Sequence, residues 1–288
     1  MGRIVFDRSL SRVAGFLLVV FLIGLSPRHA EAIAFGEVTA QPEIVARIAL
    51  GEAARPTFAT GTFITPEWLL TAAHVVEALP GGAFVETAFG DFAIAAALRH
   101  PLFTPAALVL GYDVGLIRIT APLPAGLAYP TLAGDDLDDL LGLETLFLGF
   151  GLNESGEDTG ERRQATAAIR FAFPETFGFY SDILGAEPYL RPGDSGGPAF
   201  AMLAGGEALL GVASYSLFLG DLAGSGFSPL APARDFIDRT VAGVRWSGAR
   251  LAVSEPAGLV FGGLLAIAAL RRRVRHQGSS ASSPSLVE

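Results

Sequence analysis

Residues 189–200, YLRPGDSGGPAF, set one hydroxyl, that of Ser195, among three glycines and two prolines. A serine hydroxyl barely ionises at neutral pH. To act as a nucleophile it needs a base to take its proton and a further group to orient that base. Glycine reaches dihedrals that other residues avoid and lets another backbone come close. The segment therefore serves either as a tight turn or as a mount that presents Ser195 and aims backbone N–H groups at a carbonyl. The chemistry of the second case is acyl transfer. Four histidines are available as the base. His29 and His276 fall in terminal segments that do not read as folded body. His74, in WLLTAAHVV (68–76), and His100, in LRHPLF (98–103), remain.

The elements that must carry these residues read as strands. Short apolar runs at EIVARIAL (43–50), ATGTFITP (59–66), AFVETAF (83–89), FAIAAAL (92–98) and VGLIRIT (114–120) are separated by Gly and Pro. That spacing predicts an all-β sandwich or barrel. An acidic connection follows at 131–145, where Asp135, Asp136, Asp138 and Asp139 are expected to form a solvated loop rather than a metal site. Strand-like runs resume at 145–151, 165–173, 197–203 and 208–216. ARDFIDRTVAGVR (233–245) has apolar residues at 236, 237, 241 and 244, the spacing of a helix. GDSGG also fits the G-x-S-x-G nucleophile elbow of α/β-hydrolases. That elbow needs alternating βα units and a histidine after the serine, and the body offers neither.

Composition narrows the setting. The chain has 288 residues, 51% hydrophobic, and no cysteine, so disulfides and Cys-ligated zinc are excluded. Residues 33–250 carry a net −13, against +2 for 1–32, −1 for 251–270 and +3 for 271–288. An acidic body does not favour nucleic acid or anionic membrane surfaces. Arginines, then VAGFLLVVFLIGL (13–25), then Ala30-Glu31-Ala32 give the layout of a signal peptide over 1–32, with a signal anchor as the alternative. At the other end SEPAGLVFGGLLAIAALRRRVRH (254–276) places a short apolar span, 258–270, between a linker at 247–257 and a basic tail at 271–288. The arginines are expected to stay cytoplasmic and the body outside. The order of parts resembles the PEP-CTERM sorting tail of Gram-negative bacteria, which implies an exosortase-type processing partner; an ordinary single-span anchor is the alternative. Ser-Glu-Pro stands where that tail has Pro-Glu-Pro.

TAAH (71–74), YDVGLIRI (112–119) and GDSGGP (193–198), in that order, resemble the three signature blocks of trypsin-like serine proteases of the chymotrypsin fold. HPLF before the second block, LGFG at 148–151 and SYS at 214–216 resemble lesser landmarks of that family. The resemblance covers about 33–246. It implies two antiparallel β-barrels packed together, 33–130 and 131–246, with a C-terminal helix closing the second. It implies Ser195 as nucleophile, His74 as general base and Asp113 as the group that orients it. The N–H groups of Gly193 and Ser195 would form the oxyanion hole. No metal or organic cofactor is implied, and the partner is a protein or peptide substrate.

By the same resemblance Tyr189 is the floor of the specificity pocket, and Ser214, Ser216 and Gly226 line it. Tyr189 cannot attract Arg or Lys by charge, so small or medium uncharged residues are expected at P1. The disulfides of animal members are absent, and the 21 phenylalanines are expected to fill part of that space. Ile33-Ala34-Phe35-Gly36 resembles the family's mature start, whose terminal ammonium pairs with the acid before the nucleophile, here Asp194. A noncatalytic peptide-binding member of the fold and an esterase with the same three residues are the rival readings.

Overall fold

The computed structural model describes residues 33–51, 57–105, 111–134 and 140–247. A short strand, β1 (Glu37–Val38), comes first. Six more follow: β2 (Val45–Ala49), β3 (Phe58–Phe63), β4 (Trp68–Thr71), β5 (Phe84–Thr87), β6 (Gly90–Arg99) and β7 (Gly115–Ile119). They close into an antiparallel barrel in the order β2-β3-β4-β7-β6-β5. Ile48, Phe63, Leu69, Val85 and Ile117 fill its interior and are fully buried.

The second half contributes β8 (Thr131–Ala133), β9 (Glu144–Gly149), β10 (Arg163–Ala168), β11 (Phe171–Phe173), β12 (Thr176–Asp182), β13 (Pro198–Leu203), β14 (Gly206–Leu219), β15 (Leu222–Pro229) and β16 (Arg245–Ser247). With β1 they form a ten-stranded sheet whose main path is β1-β10-β9-β13-β14-β15-β12-β11. Two antiparallel barrels were expected; among the described residues hydrogen bonds close the first and not the second. In the second, β8 branches off β14 in parallel, and the main path ends at β1 and β11. The strand β1 pairs with β10, so the start of the body belongs to the second sheet.

Phenylalanines dominate this second interior. Phe147, Phe177, Phe179 and Phe227 are each no more than 1% exposed. Their paired ring centroids lie 4.9–6.1 Å apart. Each such ring contributes about 2 kcal/mol by leaving water. A third cluster joins the halves. Val45, Leu70 and Leu116 of the barrel meet Leu148, Phe200 and Val212 of the sheet there, with Ile237 of the closing helix.

That helix is shorter than its periodicity predicts. After a 3-10 turn at Ala231–Ala233 it runs Arg234–Thr240. Val241 is extended and Gly243 has a φ of +80°, which the chain uses to turn into β16. The strand then pairs in parallel with β8, inside the segment read from the sequence as an acidic connection. Among the described residues no helix is long and apolar enough to cross a membrane. The stretches 13–25 and 258–270 lie outside the described residues, as do Asp135, Asp136, Asp138 and Asp139.

Candidate active site

Strand pairing brings His74 and Asp113 together. Antiparallel β4 and β7 pair Thr71 with Gly115. The three residues after Thr71 and the two before Gly115 therefore leave the barrel at one end. Ala72 is still extended, and a one-turn helix over Ala73–Glu77 then carries His74. Tyr112 turns with a φ of +59°, and Val114 N–H closes a tight loop on Tyr112 O at 2.7 Å, with Asp113 at its centre.

The Asp113 carboxylate is wholly buried and accepts three hydrogen bonds. His74 N–H donates to Oδ1 at 2.9 Å. His74 Nδ1 lies 2.8 Å from Oδ2, and Ser214 Oγ donates to that same oxygen at 2.5 Å. With Asp113 ionised, the imidazole bond needs its proton on Nδ1, which leaves a lone pair on Nε2. His100 has a different environment. It is 5% exposed, stacked on Tyr112 at 4.6 Å and edge-on to Phe236 at 5.1 Å, and its Nδ1 accepts Leu102 N–H. Burial lowers its pKa, so the neutral ring is favoured.

Ser195 comes from the second half. Antiparallel β13 and β14 pair Pro198 with Val212, so Ser195 and Ser214 emerge at the same end of the sheet. The turn is tied across to the barrel. Thr60 N–H donates to Ser195 O at 2.9 Å, and Thr60 Oγ1 donates to Gly193 O at 2.8 Å. Gly193 has a φ of +99°, and a Cβ there would lie 2.1 Å from the Phe58 ring, so only glycine fits. Among the described residues no acceptor takes the N–H of Gly193 or Ser195. Nor does Ser195 Oγ hydrogen-bond His74 among those residues; catalytic hydrogen bonds are often long before substrate arrives.

Asp194 points inward and is 1% exposed. Gly151 N–H donates to one oxygen at 2.9 Å and Arg191 N–H to the other at 2.8 Å. The Ile33 N–H bonds the carboxylate as well. Burial nevertheless pushes its pKa up to about 7, against the pull of those donors and of the Arg191 charge. Arg191 is a functional candidate that the sequence reading missed. Its guanidinium donates to Tyr189 Oη at 2.6 Å and Glu154 O at 3.4 Å, and burial brings its pKa down to about 9. The signal was present: Arg191 is the one cation in YLRPGDSGGPAF, three residues before the acid of that turn, Asp194.

A cavity of about 270 Å³ opens beside Ser195, lined by residues that include Leu190, Arg191, Ser214, Tyr215, Ser216 and Phe218. Ser214 and Ser216 are there as expected, and Ser216 Oγ donates to Leu190 O at 2.8 Å. Tyr189 and Gly226 are not among the lining residues. Tyr189 lies behind the cavity in a buried cluster with Ala34 and Ala223, its ring edge-on to Phe218. Its carbonyl accepts Ala34 N–H at 3.1 Å.

Compared with protein-family models, the chain matches the one described as Trypsin over residues 36–237. The chain belongs to the trypsin family. As a trypsin-family member it is a serine peptidase with the all-β chymotrypsin-like fold, and its substrates are proteins or peptides. No curated protein matches it significantly. The match begins three residues after Ile33 and ends at Ile237 of the closing helix, so it covers His74, Asp113, Ser195 and the whole cavity lining.

Proposed function

We propose that the chain is an exported endopeptidase that cleaves peptide bonds through an acyl-enzyme on Ser195. The observation that carries this reading is the 2.8 Å pair of His74 and Asp113, at the mouth of the barrel to which the Ser195 turn is tied. His74 Nε2 takes the hydroxyl proton as Ser195 Oγ attacks the carbonyl carbon. Asp113 stabilises the imidazolium that forms. The N–H groups of Gly193 and Ser195 receive the developing oxyanion, where fixed donors lower the barrier most. When the tetrahedral adduct collapses, His74 returns the proton to the leaving amine. A water then repeats the sequence to free Ser195. Every proton is held by a residue of this chain, and no cofactor enters.

A fluorophosphonate probe tests the reading. It is expected to label the protein covalently, and Ser195→Ala is expected to abolish the labelling. Equal labelling of both proteins overturns the assignment of the nucleophile.

The termini supply the location. A signal peptide over 1–32 would send the body, 33–246, out of the cytoplasm. The apolar span 258–270 and the basic tail would hold it at the membrane until an exosortase-type enzyme acts on the tail. Deleting 254–288 is expected to move activity from the membrane fraction to the soluble fraction with kcat/KM within about threefold. An inactive or insoluble product would show that the tail belongs to the fold.

A further inference from the structure

We propose that Thr60 is a positioning residue for the oxyanion hole: its hydroxyl, supplied by the barrel half, fixes the direction in which Gly193 N–H points. The inference rests on the serine-protease reading of Ser195 and names a residue, outside the set of His74, Asp113 and Ser195, on which that reaction depends.

The need arises at Gly193. A glycine lacks the Cβ that restricts rotation, and this one has a φ of +99°. Either peptide plane beside it could turn. A turn of the Pro192–Gly193 plane would carry the N–H away from a substrate carbonyl, and an oxyanion donor works only when it is already aimed. The structure holds both planes by their carbonyls. Leu152 N–H donates to Pro192 O at 3.1 Å. The C=O and N–H of a planar trans peptide point opposite ways, so this bond directs Gly193 N–H away from Leu152. Thr60 Oγ1 donates to Gly193 O at 2.8 Å and holds the plane on the other side.

The same hydroxyl supports both holds. It accepts Phe150 N–H at 3.0 Å, two residues before Leu152. One oxygen thus ties Gly193 O to the segment that grips Pro192 O. Thr60 is itself fixed. It is fully buried in β3, its N–H donates to Ser195 O at 2.9 Å, and its carbonyl accepts Thr71 Oγ1 at 2.8 Å. Those last two bonds use backbone atoms of residue 60, and any residue there can keep them. The hydroxyl has one proton to donate, and it goes to Gly193 O. Of the two holds on Gly193, this is the one that a substitution can remove while leaving the backbone unchanged.

The test compares Thr60→Val, which keeps the shape without the hydroxyl, with Thr60→Ser, which keeps the hydroxyl, in protein recovered after export of the full chain. Rates on one peptide anilide are normalised to sites titrated to completion with fluorophosphonate, and urea unfolding curves are recorded beside them. Thr60→Val is expected to lower kcat about 10²-fold, the size of a lost oxyanion donor. KM should stay within about threefold, because only the transition state carries the oxyanion. The acid limb of the pH profile of kcat/KM, which reports the base His74, should not move. Thr60→Ser should keep kcat within about threefold of wild type. Where Thr60→Val fails to fold, Thr60→Ala takes its place, with a loss in kcat of at least about tenfold expected. Full kcat in a folded variant without the hydroxyl overturns the inference. A raised KM at unchanged kcat, or a shifted acid limb, overturns it in favour of a role in substrate binding or in holding His74. Thr60→Ser as slow as Thr60→Val overturns the role of the hydroxyl. Failure of both Thr60→Val and Thr60→Ala to fold makes the hydroxyl a requirement for folding and overturns the positioning role. Wild-type protein that neither takes the fluorophosphonate nor hydrolyses any peptide overturns the protease reading itself, and this inference with it.

Discussion

Ser195→Ala, His74→Ala and Asp113→Asn should each lower kcat by a factor on the order of 10⁴ or more, a magnitude carried over from trypsin-like proteases as a class. The reasons differ by residue. Without Ser195 there is no acyl acceptor. Without His74 the hydroxyl keeps its proton. Asp113→Asn preserves shape but places an amide where a carboxylate accepts from His74 N–H, His74 Nδ1 and Ser214 Oγ. An amide oxygen can satisfy only part of that set. The amide nitrogen would favour the tautomer with its proton on Nε2, which cannot act as base. Because the three act on one proton transfer, a double variant should be scarcely worse than either single one. His100→Ala is the control. Its ring packs on Tyr112 and Phe236 rather than facing Ser195, and most activity should remain. Steady-state rates on one peptide substrate decide the matter: loss with His100→Ala but not with His74→Ala would mean that the base has been misassigned.

The second large effect is expected at Asp194. Asp194→Asn should reduce kcat/KM by a factor on the order of 10²–10³, the usual cost of losing an oxyanion donor. The carboxylate accepts from Arg191 and Gly151 N–H groups, and so holds the 191–195 turn that presents the Gly193 and Ser195 donors. Removal of a signal peptide after Ala32 would convert the Ile33 amide into an ammonium facing the same carboxylate. We expect terminal sequencing of the exported protein to begin at Ile33, so that export itself switches the enzyme on. A different terminus ends that part of the proposal.

Acid–base linkage gives an independent check. In the uncut chain the Asp194 pKa is raised from 3.8 to about 7 by burial. A raised carboxylate pKa means that the folded form binds the proton more tightly than the unfolded one. Stability is then greatest below pH ~4 and declines as pH rises to about 7, by a few kcal/mol at most. Asp194→Asn should remove that slope from urea unfolding curves of the uncut chain. In the cut chain the amine should give a decline of the same sign at higher pH. Stability from the ion pair is complete below pH ~8, the free amine's value, and is lost as pH rises through the higher value that Asp194 imposes. Identical pH profiles for the uncut wild type and its Asp194→Asn variant would remove the buried carboxylate as the switch.

Much of the site was legible because its chemistry restricts residue type. Two histidines competed for one role, and block order around 74, 113 and 195 favoured the one that the structure places on Asp113. The short apolar runs in ATGTFITP and VGLIRIT likewise marked β3 and β7. The rest depended on geometry that residue types do not encode. The bulge at Ser214 changes which face Tyr215 occupies, and nothing in ASYS announces it. Tyr189 has the right position in the chain for a pocket floor, yet its hydroxyl is drawn to Arg191 and its ring to Phe218. The parallel pairing of β8 with β14 is likewise a long-range contact that local periodicity cannot report. Nothing in ATGTFITP singles out Thr60, and only the fold makes it a junction.

That junction has a dynamic consequence. Three hydrogen bonds cross between the halves at Thr60: to Ser195 O, to Gly193 O and from Phe150 N–H. A hinge opening of one half away from the other, a common way for two-part enzymes to admit substrate, would break all three and shift the nucleophile. With all three in place, Ser195 and the Gly193 carbonyl are held against the barrel before any substrate arrives.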